Sequence, residues 1–520
     1  MRDMLPAFRK TLFFQGDIPA NQKLNTLKDM KRFLMAALVL LMASTAAAKV
    51  KMPAVLGSNM VLQRNTEVNF WGEADANAKV RITTSWNGAK YNVTADKDGK
   101  WAVKLTTGEA GGPYTITVSD GEELKLENIL LGEVWICGGQ SNMEMPVGGF
   151  INQPVENSAD YVMAANQYPG IRMFTVARNS TNEPQSDCVG EWLCSNPASV
   201  ASFSATGYFF GLTLYKALGI PVGLLTSNWG GSTIETWMSK ESVAEIEGIN
   251  HEFCNSWRGD ASETGRLYNG MILPIVNYTA KGFIWYQGCS NRKNWFDYKE
   301  LQKGLINLWR KMWGNEDMPF YITQLAPYSY EGNNLRSLPL VIEAQYKAAA
   351  ELENVAVAPT TDLGHPTCIH PAKKKQVGER LAWLALARDY KMAGVPAADP
   401  TYKSMEIMDN EITLSFNHLS DGSPNEPNSL VGFSETHTLR MEGFEIAGED
   451  QVFYPAKARM IWWKNKIAVS SDKVAKPVAV RYAFKNYCPE ANVKTTFNLP
   501  LVPFRTDNWE IPADQIGEIR

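Results

Sequence analysis

A serine follows two glycines directly after an apolar run that predicts a buried strand. The run covers residues 129–136, and the turn after it is Gly138-Gly139-Gln140-Ser141. Because glycine tolerates tight turns and close approaches, Ser141 is expected at a strand end with its hydroxyl pointing outward. That is where an α/β enzyme places a nucleophile. The spacing is not that of a Gly-x-Ser-x-Gly elbow, because Asn142 and Met143 follow the serine. A catalytic role therefore requires a base and oxyanion donors from elsewhere in the chain.

Two more loops that combine glycine with an amide side chain follow predicted strands in the same part of the chain. One begins at Asn228-Trp229-Gly230-Gly231, after an apolar run at residues 224–225. The other contains Gln287, Gly288 and Asn291, after the run at residues 283–284. Either loop alone is an ordinary turn. Three such strand ends in one α/β segment favour a common site, because parallel sheets bind ligands beyond the carboxyl ends of their strands.

The general base is sought among five histidines: His251, His365, His370, His418 and His437. The last two fall in a predicted β-rich region and the first in a polar loop. Pro371 is predicted to be the first residue of a helix that runs to about Tyr390. His370 is therefore expected on a loop at a helix start, where it offers a general base for Ser141.

Composition limits the partners that the chain can have. The 520 residues carry 51 basic and 55 acidic side chains, a net charge of −4. Without an excess of Lys and Arg, nucleic acid is not expected as a main partner. There are seven cysteines, and since their spacing fits no zinc pattern and the histidines are scattered, no metal site is expected.

The N-terminal segment predicts export. Residues 30–48 have a basic start, an apolar run and three alanines at the end, which is typical of a signal peptide cleaved after Ala48. Residues 1–29 are interpreted as a non-native extension ahead of a true start at Met30. A periplasmic or secreted protein without a stable membrane span after cleavage is expected, and this compartment permits disulfides.

The remaining chain divides into three predicted domains. Residues 49–127 show short alternating strands with turn residues between them, which favours a β-sandwich. Residues 128–392 alternate apolar strands with helical patterns, including an amphipathic helix at 298–313. This alternation predicts an α/β fold with a parallel sheet flanked by helices. Residues 393–520 are β-rich again.

Several segments resemble sialate O-acetylesterases, which are SGNH-type carbohydrate esterases. They are, in order, Gly138-Gly139-Gln140-Ser141-Asn142-Met143, Trp229-Gly230-Gly231-Ser232, Trp285-Tyr286-Gln287-Gly288 and Ile369-His370-Pro371. Further similar segments extend the resemblance over nearly all of the mature chain. It implies an SGNH-hydrolase-like central domain and a serine esterase that needs no cofactor.

The resemblance also implies roles. Ser141 would be the nucleophile and His370 the base. The N–H of Ser141, an N–H of Gly230 or Gly231 and the side chain of Gln287 would form the oxyanion hole. Asn291 would be an extra donor or a brace of its loop.

Two positions depart from the family pattern, and both are cysteines. Cys289 stands where the family usually has Glu, and Thr367-Cys368 occupy the positions of an Asp that would orient the base. The orienting group is then a backbone carbonyl near Thr367, which we favour, or Asp362. Cys289 and Cys368 either form a disulfide between the two loops or are unrelated thiols.

The implied reaction is removal of O-acetyl groups from carbohydrates, with sialic acids as the foremost substrate. Acetylxylan or another glycan is the alternative within the enzyme class, and a carbohydrate-binding homologue with impaired catalysis is the alternative outside it. A sialic acid carboxylate needs an Arg partner, and sugar rings stack on aromatic side chains. The candidates are Arg178, Arg266, Arg292, Trp229, Trp237 and Trp295.

Overall fold

The computed structural model describes residues 50–396, 400–419, 433, 441–461 and 464–518. The predicted extension at 1–29 and signal peptide at 30–48 lie outside these residues. Within them, every helix is too short or too polar to cross a membrane.

The N-terminal region contains two sheets, as the alternating pattern predicts. Its strands are β1 (Val61–Gln63), β2 (Glu67–Glu73), β3 (Lys79–Thr84), β4 (Lys90–Thr94), β5 (Lys100–Thr106), β6 (Gly111–Ser119) and β7 (Glu123–Gly139). One sheet has the order β4-β3-β6-β7-β1, and β2 pairs with β5 in the other. Val68 and Phe70 of β2 are buried together with Ile82 of β3 in one core, because alternate residues of each strand face inward.

Strand β7 joins this region to the central domain. Its first half pairs antiparallel with β6, while residues 133–139 pair with strands of the central sheet. The predicted domain boundary at 127/128 falls inside this strand. A single hydrophobic core includes residues of both regions, so the N-terminal sheets brace the strand that ends beside Ser141.

The central domain is an α/β sheet flanked by helices, which confirms the predicted fold class. Its other strands are β8 (Ile171–Thr175), β9 (Trp192–Cys194), β10 (Val222–Asn228), β11 (Gly282–Tyr286), β12 (Phe320–Thr323) and β13 (Val355–Ala358). The order is β13-β12-β11-β7-β10-β8-β9, parallel except for β9. Every residue of β10 and β11 is buried, as expected for strands covered on both faces.

The helices include the predicted amphipathic one. They are α1 (Ser141–Glu144), α2 (Ser158–Met163), α3 (Pro197–Ser202), α4 (Ala205–Leu218), α5 (Lys240–Ala244), α6 (His251–Cys254), α7 (Tyr298–Trp313), α8 (Ser337–Ala350), α9 (Lys374–Arg388) and α10 (Ala513–Ile516). Leu301, Leu305 and Trp309 of α7 are fully buried, at the three- and four-residue steps that place side chains on one face.

The C-terminal region is β-rich, as predicted. Its strands are β14 (Tyr402–Met408), β15 (Glu411–Phe416), β16 (Phe444–Ala447), β17 (Tyr454–Pro455), β18 (Lys457–Ile461), β19 (Lys466–Ser470), β20 (Ala479–Tyr482) and β21 (Phe504–Arg505). They form two antiparallel sheets, β14-β15-β19-β18 and β17-β16-β20-β21, around a separate core. Arg505 binds Glu343 of α8 through two hydrogen bonds, which ties this region to the central domain.

Candidate active site

The three glycine-containing loops meet at one edge of the central sheet. Gly139 at the end of β7 lies in register with Asn228 of β10 and with Tyr286 of β11. All three strands are parallel, so their carboxyl ends coincide. The expectation that these loops converge is therefore confirmed.

The turn before Ser141 requires glycine. Gly139 has φ +144°, and an added Cβ would lie 2.2 Å from the carbonyl oxygen of Tyr286. No L side chain fits there. The chain turns directly into α1, whose first residue is Ser141, and the first N–H groups of a helix have no partner within the helix.

Gln140 connects the three loops. Its Oε1 accepts the N–H groups of Gly288 (2.9 Å) and Cys289 (3.0 Å), while its Nε2 donates to the carbonyl of Ser232 (2.5 Å) and to Ser290 Oγ (2.7 Å). The side chain is buried, so water competes little for these bonds. The side chain of Gln140 is thus a structural link between the loops.

Ser141 and His370 contact each other. Ser141 Oγ lies 2.7 Å from His370 Nε2, which is hydrogen-bonding distance and the geometry that a general base requires. The ring of Phe150 packs edge-on against the imidazole, with centroids 5.3 Å apart. The predicted approach of these two side chains is confirmed.

The other nitrogen of His370 faces Gln153, which the sequence interpretation missed. Gln153 Oε1 lies 2.5 Å from His370 Nδ1. Reciprocal backbone hydrogen bonds of 3.0 Å between Phe150 and Gln153 hold the turn that presents this side chain. With the amide oxygen accepting from Nδ1–H, Nε2 carries no proton and is free to accept one from Ser141.

Neither orienting group expected from the sequence performs that role. Asp362 binds Arg380 at 2.7 Å and Lys494 at 3.0 Å. Thr367 makes its contacts with His365. Both expectations were wrong because the loop at Phe150–Gln153, far away in sequence, occupies the position next to Nδ1.

His370 is neutral over a wide pH range. Burial lowers the pKa of its imidazole from 6.5 to about 4, and the nearby positive charge of Lys374 acts in the same direction. Gln153 stabilises the imidazolium less than a carboxylate would, since its amide bears no net charge. Within the described part of the chain, no carboxylate is hydrogen-bonded to His370.

Two backbone N–H groups near Ser141 are available to an oxyanion. Those of Ser141 and Gly231 have no hydrogen-bond partner among the described residues. The third expected N–H, that of Gly230, donates to Glu144 Oε2 at 2.8 Å. A Cβ added to Gly230 would lie 3.2 Å from the Cβ of Ser141, so this loop packs directly against the serine.

The side chains of Gln287 and Asn291 are not directed at the site. Gln287 Nε2 donates to Asn291 Oδ1 (2.6 Å) and to the carbonyl of Ser232 (3.1 Å). Asn291 Nδ2 donates to Glu235 Oε2 (2.9 Å) and to Asn294. Both residues are fully buried, so the expectation that they donate to the oxyanion was wrong. They brace the loop, which was the alternative role considered for Asn291.

Of the aromatic candidates for sugar binding, Trp229 is best placed. It is half-buried, precedes Gly230, and lies under the guanidinium of Arg178 at 5.0 Å. Trp237 is fully buried and donates to Ser232 Oγ, so the prediction for it was wrong. Trp295 packs against the small cluster around Leu340.

All three candidate arginines have carboxylate partners. Arg178 binds Glu144. Arg266 contacts Asp260 at 3.2 Å and Glu263 at 3.4 Å. Arg292 is buried and binds both oxygens of Glu331, at 2.7 and 3.0 Å.

The seven cysteines are free thiols. The hypothesis of a Cys289–Cys368 disulfide was therefore wrong, and the alternative of separate thiols holds. Cys368 donates to the carbonyl of His370 at 3.1 Å. In the described part of the chain, no three His, Cys, Asp or Glu side chains lie together as metal ligands would.

A hydroxyl, an unprotonated imidazole nitrogen and backbone N–H groups that lack a partner among the described residues, all at one sheet edge, can perform acyl transfer. Residues 131–387 match the family model described as "Carbohydrate esterase, sialic acid-specific acetylesterase".

Known relatives include mammalian and bacterial esterases. The sialate O-acetylesterase of Mus musculus is 28% identical over 341 residues, 55% of this chain and 61% of the mouse protein. That of Homo sapiens is 27% identical, covering 74% of this chain and 80% of its own. A carbohydrate acetylesterase from Xanthomonas citri of known structure is 34% identical, with a TM-score of 0.79 over 88% of this chain and all of its own. The chain therefore belongs to the sialic acid-specific acetylesterase family of carbohydrate esterases, which are carboxylic ester hydrolases.

Proposed function

We propose that this protein is a serine esterase that removes O-acetyl groups from carbohydrates through an acetyl-Ser141 intermediate. The observation that carries the proposal is the 2.7 Å contact between Ser141 Oγ and His370 Nε2, beside unpaired N–H groups at the sheet edge. The proposal requires no cofactor.

In the first half of the reaction, His370 Nε2 takes the proton of Ser141 as Oγ attacks the acetyl carbonyl. Gln153 holds the Nδ1–H, so the imidazole keeps the required tautomer. The N–H groups of Ser141 and Gly231 stabilise the oxyanion, and loss of one such donor typically costs about 10²- to 10³-fold in rate. The imidazolium then gives its proton to the sugar oxygen, which leaves as a hydroxyl.

In the second half, water attacks acetyl-Ser141. His370 takes a proton from the water and the same N–H groups hold the second oxyanion. Collapse releases acetate, and the proton returns to Ser141 Oγ.

Hydrolysis of p-nitrophenyl acetate and of acetylated sugars tests the proposal, with the Ser141→Ala variant assayed beside the native chain. We expect hydrolysis by the native chain only. Binding of acetylated sugars without hydrolysis would instead favour the carbohydrate-binding alternative. Activity that survives in Ser141→Ala would exclude the acetyl-serine mechanism.

The rate should fall under acidic conditions, when His370 becomes protonated. His370 acts as a base when neutral, and its pKa is lowered to about 4. The acid limb of a plot of kcat/KM against pH is therefore expected near pH 4, below the ordinary histidine value of about 6.5. An acid limb at or above pH 6.5 would contradict the buried, amide-paired environment of this imidazole.

Two classes of sugar are candidates for the natural substrate. The family and the mammalian relatives favour O-acetylated sialic acids. The pairing of Arg178, Arg266 and Arg292 with carboxylates favours neutral acetylated glycans such as acetylxylan, because a sialic acid carboxylate would have to displace an internal partner.

A panel of acetylated sugars distinguishes the two classes. From the paired arginines, we expect kcat/KM for neutral acetylated sugars to equal or exceed that for O-acetylated sialic acid. A preference for the sialate above about tenfold, or about 1.4 kcal/mol, that disappears in Arg178→Met would favour the sialate instead. Arg81→Met, on β3 away from the site, is the control.

We also propose that the protein is exported. The support is the signal-peptide pattern of residues 30–48. N-terminal sequencing of the native protein tests it, with a start after Ala48 as the expected result. A mature chain that retains residues 1–29 would contradict it.

A further inference from the structure

We propose that Lys374 is a positioning residue, which ties the turn that carries Ser141 to the loop that carries His370 and places a positive charge beside the base. The inference rests on the proposed esterase function, which it extends by a residue that never touches substrate.

The tie runs through Asn142. Lys374 Nζ donates to Asn142 Oδ1 and to the carbonyl of Pro371, both at 2.8 Å. Asn142 Nδ2 donates to the carbonyl of Ile369 at 3.1 Å. Asn142, the residue after Ser141, is therefore bonded directly to Ile369 and, through Lys374, to Pro371, and these two residues flank His370.

This placement is unfavourable for a lysine by itself. Lys374 is fully buried and is the first residue of α9, where the helix dipole disfavours a positive charge. Burial lowers the pKa of its ammonium from 10.5 to about 7. Charged groups are rarely buried unless they are paired, yet both oxygens that Lys374 binds are uncharged. A buried Met would fill a similar volume without this desolvation cost, so a role for the ammonium is indicated.

The charge of Lys374 acts on the base. It is the second cause, after burial, of the lowered pKa of His370. At the pH where His370 titrates, about 4, Lys374 is protonated because its own pKa is about 7. Two thiols, Cys368 of the same loop and Cys289 of the neighbouring loop, also face the ammonium. Neither thiol is among the causes of the lowered pKa of His370, so Lys374 is the charged group that affects His370.

Two substitutions separate the effect of the hydrogen bonds of Lys374 from the effect of its charge. Lys374→Met removes both. We expect kcat to fall by up to about 100-fold, the loss that a misplacement of about 1 Å can cause, with KM changed less than kcat. We also expect the acid limb to move to higher pH, since loss of a neighbouring cation raises the pKa of a histidine. Lys374→Gln removes the charge but keeps an N–H donor, so the same shift is expected with a smaller loss of kcat.

Lys375→Met is the matched control. Lys375 is the next residue of α9, is half-exposed, and pairs with Glu379 at 3.5 Å, so native kcat and an unshifted acid limb are expected. Folding is checked by circular dichroism. Folded Lys374→Met with native kcat and an unshifted limb would overturn the inference. Failure of both Lys374 variants to fold would also overturn it, because a local tie predicts that the rest of the domain stays folded.

A second readout does not depend on activity. Titration of the His370 ring by NMR, assigned with His370→Ala, should show a higher pKa in Lys374→Met than in the native chain. If the native chain hydrolyses no acetyl ester, the proposed function fails, and this titration still decides whether Lys374 acts on His370. An equal His370 pKa in both proteins would refute the effect of the charge.

Discussion

Ser141→Ala is expected to lower kcat for acetyl esters by about 10⁶-fold, the loss measured when a serine hydrolase loses its nucleophile. The hydroxyl is the group that forms the acyl intermediate, and neither Asn142 nor Gln140 can replace it, since both amides are used in internal hydrogen bonds. Hydrolysis of p-nitrophenyl acetate, corrected for the spontaneous rate, measures the loss.

The same prediction covers His370. His370→Ala should cost about as much as Ser141→Ala, and the double variant little more than either, because the two side chains act as one unit. His365→Ala is the matched control from the same loop: His365 bonds with Thr367 and not with Ser141. Losses that multiply in the double variant would contradict a shared role.

Gln153→Leu is expected to lower kcat by about 10²- to 10⁴-fold, the upper value being the cost of a wrong tautomer in a serine protease. The leucine has a similar size but accepts no hydrogen bond from Nδ1–H. The imidazole would then turn or adopt the other tautomer, so Nε2 would no longer be an unprotonated acceptor for Ser141. Steady-state kinetics with folding checked by circular dichroism measure this effect.

Gln153→Glu tests the same contact in the opposite direction. A carboxylate beside Nδ1 stabilises the imidazolium and raises the pKa of His370, so the acid limb should move above pH 4 while activity is retained. Ile151→Ala, at a side chain of the same turn that is 91% exposed, is the control and should behave as the native chain. A Gln153→Leu variant with native kcat would show that another group orients the base.

In the proposed mechanism, the pair Ser141 and His370 is completed by the amide of Gln153 instead of a carboxylate. The amide of Gln153 stabilises the imidazolium less than a carboxylate would. Burial and the charge of Lys374 lower the pKa of His370 to about 4, so the imidazole remains neutral to lower pH. The Gln153 variants test the role of the amide at Nδ1, and the Lys374 variants test the effect of the neighbouring charge on the pKa of His370.

The local sequence pattern determined the fold class and the choice of Ser141 as the candidate nucleophile. Continuous apolar runs predict β10 and β11 because both faces of these strands are covered, and the Gly138-Gly139 turn predicts Ser141 because backbone contacts leave no room for a Cβ at Gly139. His370 was preferred over His365 because a helix was predicted to begin at Pro371. That helix in fact begins at Lys374, three residues later. Each of these features depends on neighbours in the chain.

Only the tertiary structure decided which polar groups face the reacting atoms. Gln140, Gln153 and Gln287 have the same side-chain chemistry. In the structure, Gln140 links three loops, Gln153 contacts Nδ1 of His370, and Gln287 is buried and braces its own loop. Lys374 lies in a run of three lysines that is typical of a solvated surface, but its side chain is fully buried. The partners of these residues lie far away in the chain, 217 residues for Gln153 and His370. Burial and hydrogen-bond partners at that separation depend on how the loops pack together, and no local pattern records that packing.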